Sequence, residues 1–208
     1  MSEVIKQPVG RRAFNKADKL QKISAAARDL FLEKGYDGAT LRDIAARAGV
    51  GFGTLFDYAS GKRDLLFLIF NPRLVERLDA GYKAALAEPR FLDQAMKLFE
   101  PFYALYERDP ELSRYLLREL NFYRDGAEAA KFLTQRSDFL DRLKALTERA
   151  QIKGEINPAC APSQIAQVLM SIFAWEVRRW ISLEPLDLAV GLNTLRGLVA
   201  LQINGFRS

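Results

Sequence analysis

The sequence predicts an all-α fold, on three observations. Apolar residues recur at intervals of three and four through most of the chain. No run sustains the strict alternation of a half-buried strand, and glycines and prolines fall where the apolar periods start or stop, as at Gly35, Gly49, Pro110, Gly154 and Pro162. With 208 residues, 49% hydrophobic and 27% charged, the chain is long enough and apolar enough to bury a proper core. It shows no internal repeat.

The elements follow in order. Residues 1–14, with Pro8, Gly10, Arg11 and Arg12 and no apolar period, read as a flexible basic arm. From Asn15, residues Leu20, Ile23, Ala27, Leu30 and Phe31 take helical spacing, ending at Gly35. Thr40-Leu-Arg-Asp43 is a capping-box-like start, in which the Thr oxygen accepts an orphan backbone N–H. The short helix it opens, with Leu41, Ile44, Ala45 and Ala48, stops at Gly49. A second short helix is expected from about Gly51 to Tyr58, and Ser60 caps the next start. A long helix over 61–87 contains Pro72, which removes one backbone bond and predicts a kink just before it. Helices are then expected over 91–108, 110–121, 126–153, 162–182 and 185–204, the fourth opening on Pro162 as a first helical residue.

Composition removes several chemistries. The chain has no histidine, the commonest general base and metal ligand, and one cysteine, Cys160, in "NPACAP". One thiol makes no intramolecular disulfide and no zinc cage, and without a histidine it lacks an activating base. No catalytic residue, metal site or cofactor is therefore expected. No apolar run reaches the length of a membrane span, the longest, Val168 to Val177, being broken by Ser171 and Glu176. The N-terminus lacks the apolar stretch of a signal peptide, so a cytoplasmic location is expected. The net charge of +5 is uneven: residues 1–65 hold 12 basic and 8 acidic side chains, the remainder 19 and 18. A basic N-terminal third on a near-neutral body points to a polyanionic partner.

The stretch "GVGFGT" at residues 49–54 decides which partner. A phosphate-binding glycine loop needs a strand before it, and here "LRDIAARA" precedes. Gly53 comes one place early for the dinucleotide fingerprint, and Leu55-Phe56 stands where a P-loop needs Lys-Ser/Thr. A helix-turn-helix fits instead. Ala45 is small enough for two helices to cross at it, Gly49 can turn the corner at positive φ, and Ile44, Val50 and Leu55 are spaced to pin both sides.

On these residues the segment resembles the DNA-binding part of the tetracycline-repressor (TetR) family. The matching features are an amphipathic helix ending in Gly35-Tyr36, Thr40 opening the second helix, Ala45-x-x-x-Gly49-Val50, Gly53-Thr54-Leu55 with aromatics after it, and a capped start near Lys62. The resemblance covers residues 20–66. It implies a DNA-binding domain over 15–60, whose third helix enters the major groove, and a helical-bundle domain for ligand binding and dimerisation over 61–208. Phe52, Gly53, Thr54, Asp57 and Tyr58 are then expected on the groove side, with Gly51 opening the helix. Thr40, Arg42 and Lys62 are expected at phosphates, and Arg11, Arg12 and Lys16 along the backbone or minor groove. The sequence departs from the family pattern at Gly51-Phe52, at Phe56, where a phosphate-contacting Tyr is common, and at Asp57, where His or another polar residue is usual.

The same resemblance implies a small-molecule effector, and residues 91–139 are rich in aromatics. An apolar pocket is expected between the 91–108, 126–153 and 162–182 helices, walled by Phe99, Phe102, Tyr103, Tyr106, Phe132, Phe139, Met170 and Phe173. Arg118 or Arg136 is expected to meet an acidic head group, on a ligand that is hydrophobic or aromatic. The last two helices carry more apolar residues than one buried face uses, which predicts a homodimer through them and a palindromic double-stranded operator. Effector binding is expected to tilt the helix over 61–87 about Pro72 and release the DNA. The chain then reads as a ligand-responsive repressor. The readings this leaves open are an all-α ligand-binding or scaffold protein with a non-functional helix-turn-helix, and an all-α enzyme.

Overall fold

The structure, a computed structural model, describes residues 11–120 and 125–206. Every regular element among them is a helix: α1 Arg11–Gly38, α2 Leu41–Arg47, α3 Phe52–Leu55, α4 Lys62–Ala87, α5 Phe91–Arg108, α6 Pro110–Glu119, α7 Ala127–Ile152, α8 Pro162–Ile181 and α9 Leu188–Gly205. The expected arm over 1–14 lies outside the described residues up to residue 10. From Arg11 onward it is already helical, because its Arg and Ala residues are good helix formers although they set no apolar period. The chain divides into two compact units, one ending at Ile69 and the other beginning at Phe70, so the division falls inside α4 rather than at its start.

In the first unit, α1 buries Ile23, Ala27, Leu30 and Phe31, α2 buries Ile44 and Ala45, and α3 buries Leu55. α1 bends at Gly35 (φ 73°), which turns Tyr36 back onto Phe31 with ring centroids 5.1 Å apart. Thr40 Oγ1 accepts from the Asp43 backbone N–H at 3.1 Å, and the lysine and arginine pairs Lys34–Asp43 and Arg47–Glu33 tie α2 to α1 across the surface. The Lys34 ammonium, with the Thr40 hydroxyl behind it, holds the Asp43 carboxyl below its usual range; Arg47 does the same for Glu33. The corner after α2 closes at Gly49 (φ 66°), whose N–H reaches Ala46 O while the Val50 N–H reaches Ala45 O, satisfying the last carbonyls of the helix.

The second unit is a helical bundle in which α8 packs along α7 and α9, and α5 packs against α7, α8 and α9. Phe99 and Phe102 from α5, Phe139 from α7 and Phe173 from α8 form one aromatic stack, with Phe99 and Phe173 centroids 4.8 Å apart. Beside it Tyr103 lies 4.7 Å from the ring of Trp180, which is fully buried and donates through Nε1 to Asp187 O at 2.7 Å. Gly191 of α9 sits directly against that indole: a Cβ there would stand 2.6 Å from Trp180 Nε1. Gly191 thus serves packing within the chain. α4 runs through Pro72 as one helix. Next to the proline, buried Asn71 donates to the Glu128 carboxylate at 2.7 Å and accepts from Gln135 Nε2 at 3.2 Å through its carbonyl. These contacts hold the turn where proline removes a donor.

Two stability outcomes follow from the glycines. Gly191→Ala forces the added methyl into the Trp180 ring and is expected to lower unfolding free energy by roughly 1–3 kcal/mol in urea melts. Gly49→Ala is expected to cost about 1–2 kcal/mol at the left-handed corner, and Gly49→Asn less, since asparagine tolerates that backbone; equal losses for both would place the effect elsewhere.

Candidate nucleic-acid interface and effector cavity

α3 is short because Gly51 and Gly53 resist helix formation; its chain continues to Tyr58 through tighter turns, Phe56 N to Gly53 O, Asp57 N to Thr54 O and Tyr58 N to Leu55 O. This places Gly51, Phe52, Gly53, Phe56 and Asp57 on the exposed side, with Thr54 and Tyr58 half-buried and Leu55 facing the core. Phe52 and Phe56 meet edge to face at 5.2 Å, both more than two-fifths exposed, and the exposed Arg42 of α2 stands 5.5 Å over the Phe52 ring. The two aromatics at which the sequence departs from its relatives are therefore surface residues that pack on each other. Gly53 leaves open space around it: a Cβ there meets nothing within 4 Å.

Thr40 is exposed at the N-terminus of α2, and Lys16 is exposed on α1. The side chains of Arg11 and Arg12 lie outside the described residues. Lys62 is placed differently from its expected role. Its ammonium donates to Tyr36 O at 2.8 Å and Asp37 O at 3.0 Å and lies over the Tyr36 ring, so it caps the end of α1. Sequence reasoning missed this because the partner carbonyls are some 25 residues away in the chain.

In the second unit a cavity of about 550 Å³ opens among α4, α5, α6, α7 and α8. Of the expected wall residues, Phe102, Tyr106, Phe132, Arg136, Phe139, Met170 and Phe173 line it. Phe99 and Tyr103 do not: both are fully buried one step round α5, packed beneath the wall against Phe173 and Trp180. Arg118 is also away from the cavity, exposed beside Glu119 and over the Tyr115 ring. Residues that sequence reasoning left out complete the wall, notably Leu74 and Leu78 of α4, Leu117 of α6, and Trp175 and Arg178 of α8. The spacing of Ser171, Trp175 and Arg178 along one face of α8 was the available signal. Burial raises the Tyr106 hydroxyl well above its usual range, leaving a neutral phenol, and burial also lowers Arg178.

α8 and α9 bury Ile165, Leu169, Phe173 and Ile181, and Leu195, Val199 and Ile203. They leave Trp175 and Leu201 each 72% exposed, with Val190 and Leu198 also exposed and Val168 and Ile172 half-exposed. Cys160 is half-buried in the loop before α8, where its carbonyl accepts from Gln151. Among the described residues no group of acidic, histidine or cysteine side chains is arranged to hold a metal ion, and no helix is long and apolar enough to cross a membrane.

Residues 23–69, the helix-turn-helix and the start of α4, match the family model for bacterial regulatory proteins of the tetR family. Among curated proteins the chain is similar to the HTH-type transcriptional repressor KstR of Rhodococcus jostii (28% identity over 165 residues; 78% of this chain, 74% of that one). It is also similar to the repressor BepR of Brucella suis (24% over 170 residues; 79% and 81%). Among solved structures, FadR of Bacillus subtilis in complex with stearoyl-CoA superposes with a TM-score of 0.70 at 20% identity, covering 86% of this chain and 96% of that one. AibR in complex with isovaleryl coenzyme A and operator DNA gives 0.62 at 18%, covering 91% and 98%. The family match lies on the helix-turn-helix built on Gly49, and the solved structures share the all-helical fold of the body behind it.

Proposed function

We propose that the protein is a cytoplasmic, ligand-responsive transcriptional repressor, a binding protein and not an enzyme, that holds a palindromic operator as a homodimer and leaves it when a hydrophobic or aromatic small molecule binds. The observation that carries this reading is an aromatic-walled cavity in the same chain as a helix-turn-helix. The relatives named as repressors support the DNA half. The acyl-CoA complexes of FadR and AibR support an effector with a long or branched apolar part. One helix serves both ends: α4 contributes Leu74 and Leu78 to the cavity wall, and its first turns belong to the unit that carries α3. A ligand that prefers one position of α4 biases DNA affinity by its difference in affinity for the two positions.

At the DNA, Thr54, Asp57 and Tyr58 read base edges, Asp57 by accepting from a cytosine amino group. Phe52 and Phe56 face the groove with them. Thr40, Arg42, Lys16, Arg11 and Arg12 contact phosphates, and Lys62 contributes through its backbone N–H, since its ammonium is engaged with α1. Two copies joined through the exposed apolar stripes of α8 and α9 present two α3 segments to half-sites about one DNA turn apart.

Two experiments test this. Sites selected from random duplexes should be palindromic, and affinity for them should fall steeply with salt. Thr54→Ala with Tyr58→Ala should cost roughly 1–3 kcal/mol per lost base contact, while Gly53→Ala, whose methyl meets no atom of the chain, should weaken binding without lowering the melting temperature. Retention on no duplex at low salt would sink the reading. For the dimer, Leu201→Arg with Trp175→Arg should shift the mass in light scattering from dimer to monomer while helicity is kept; a monomeric parent chain overturns it.

A further inference from the structure

Six arginines of the second unit pair with carboxylates among the described residues. Arg179 holds Glu176 through two hydrogen bonds of 2.6 and 2.7 Å, Arg142 meets Asp79, Arg196 meets Asp93, and Arg73 meets Asp109. Arg178, next to Arg179 in the chain, does not follow this pattern. It is half-buried on the cavity wall, and its hydrogen bond goes to the Ala174 carbonyl one turn back, at 2.6 Å. No carboxylate among the described residues pairs with it. Arg136, exposed on the same wall, also has no acidic partner among them. Tyr106 is close enough to act on Arg178 electrostatically, and no residue lining the cavity carries negative charge.

We propose that the cavity is an anion site as well as an apolar one: its effector carries an anionic oxygen group, a carboxylate, sulfonate or phosphate, that pairs with the Arg178 guanidinium while the rest of the ligand lies against the aromatic wall. A guanidinium stays charged at any accessible pH, so partial burial without a counter-ion is a cost that neutralisation cannot relieve. The direction of the burial effect on Arg178 agrees, since its surroundings disfavour the charged form. One carbonyl uses one of five N–H donors, and the planar fork that remains matches two oxygens of an anion. Tyr106, near enough to act on Arg178 electrostatically and kept neutral by burial, adds a hydroxyl and no competing charge. Arg136 supplies a second cation at a more exposed point of the wall, suited to steering the anion inward.

The inference rests on the effector reading above, and two dyes separate the two. N-phenyl-1-naphthylamine and 8-anilinonaphthalene-1-sulfonate share one aromatic skeleton and differ by the sulfonate. Their binding to the full chain at physiological salt is followed by dye emission and by quenching of tryptophan, since Trp175 lies on the wall. Arg178→Gln should weaken the sulfonate at least about tenfold, the order of one charge-assisted hydrogen-bonded pair, and change the neutral dye less than about twofold. Arg178→Lys, which keeps the charge, should restore part of the loss, and Arg118→Gln, away from the cavity, should change neither dye. Sulfonate binding unchanged in Arg178→Gln, or lost equally with the neutral dye in a variant that melts normally, overturns the anion site and leaves the apolar effector reading standing. Failure of both dyes to bind the unaltered chain overturns both readings.

Discussion

The stack of Phe99, Phe102, Phe139 and Phe173 is the contact on which the second unit depends. It joins α5, α7 and α8 at one place, and it has two sides. On one side Phe99 continues into Tyr103 and Trp180, a closed core sealed by Gly191. On the other, Phe102, Phe139 and Phe173 form part of the wall of an open cavity. A rigid aromatic floor gives an apolar ligand a preformed surface, so little ordering is required when it binds.

The helix-turn-helix unit depends on a different constraint, the backbone at Gly49. Its positive φ lets the chain turn within one residue, and that turn sets α3 beyond α2 with Leu55 inward and Phe52, Gly53 and Phe56 outward. The exposed aromatic pair is then a feature of the surface that α3 presents to solvent. Its rings cover one another and the Arg42 guanidinium, which lessens the cost of leaving apolar surface in water.

Lys62 and Arg178 make the same point from opposite directions. Both are cations near helix ends whose partners are distant in the chain or absent from it. Lys62 spends its charge on the carbonyls that end α1, so a residue expected to meet DNA phosphates is in part a structural cap. Arg178 has a single carbonyl one turn away and a cavity before it. Charge type and helical position were legible in the sequence for both; where the charge went was not.

The sequence by itself determined the all-α class, the start and end of most helices, the corner at Gly49 and the helix-turn-helix built on it, because these follow from local periodicity, capping and backbone freedom. It also marked the aromatic region of α5, α7 and α8. Only the tertiary structure decided which aromatics face the cavity. Phe99 and Tyr103 differ from Phe102 and Tyr106 by less than one turn of α5, and the neighbours that separate core from wall, Trp180, Gly191 and Leu74, come from remote parts of the chain. The same holds for Arg118 and Arg178, alike in sequence, one paired on the surface and the other set without a counter-ion on the cavity wall. A charge's partner is settled by packing between helices, which no single-helix pattern contains.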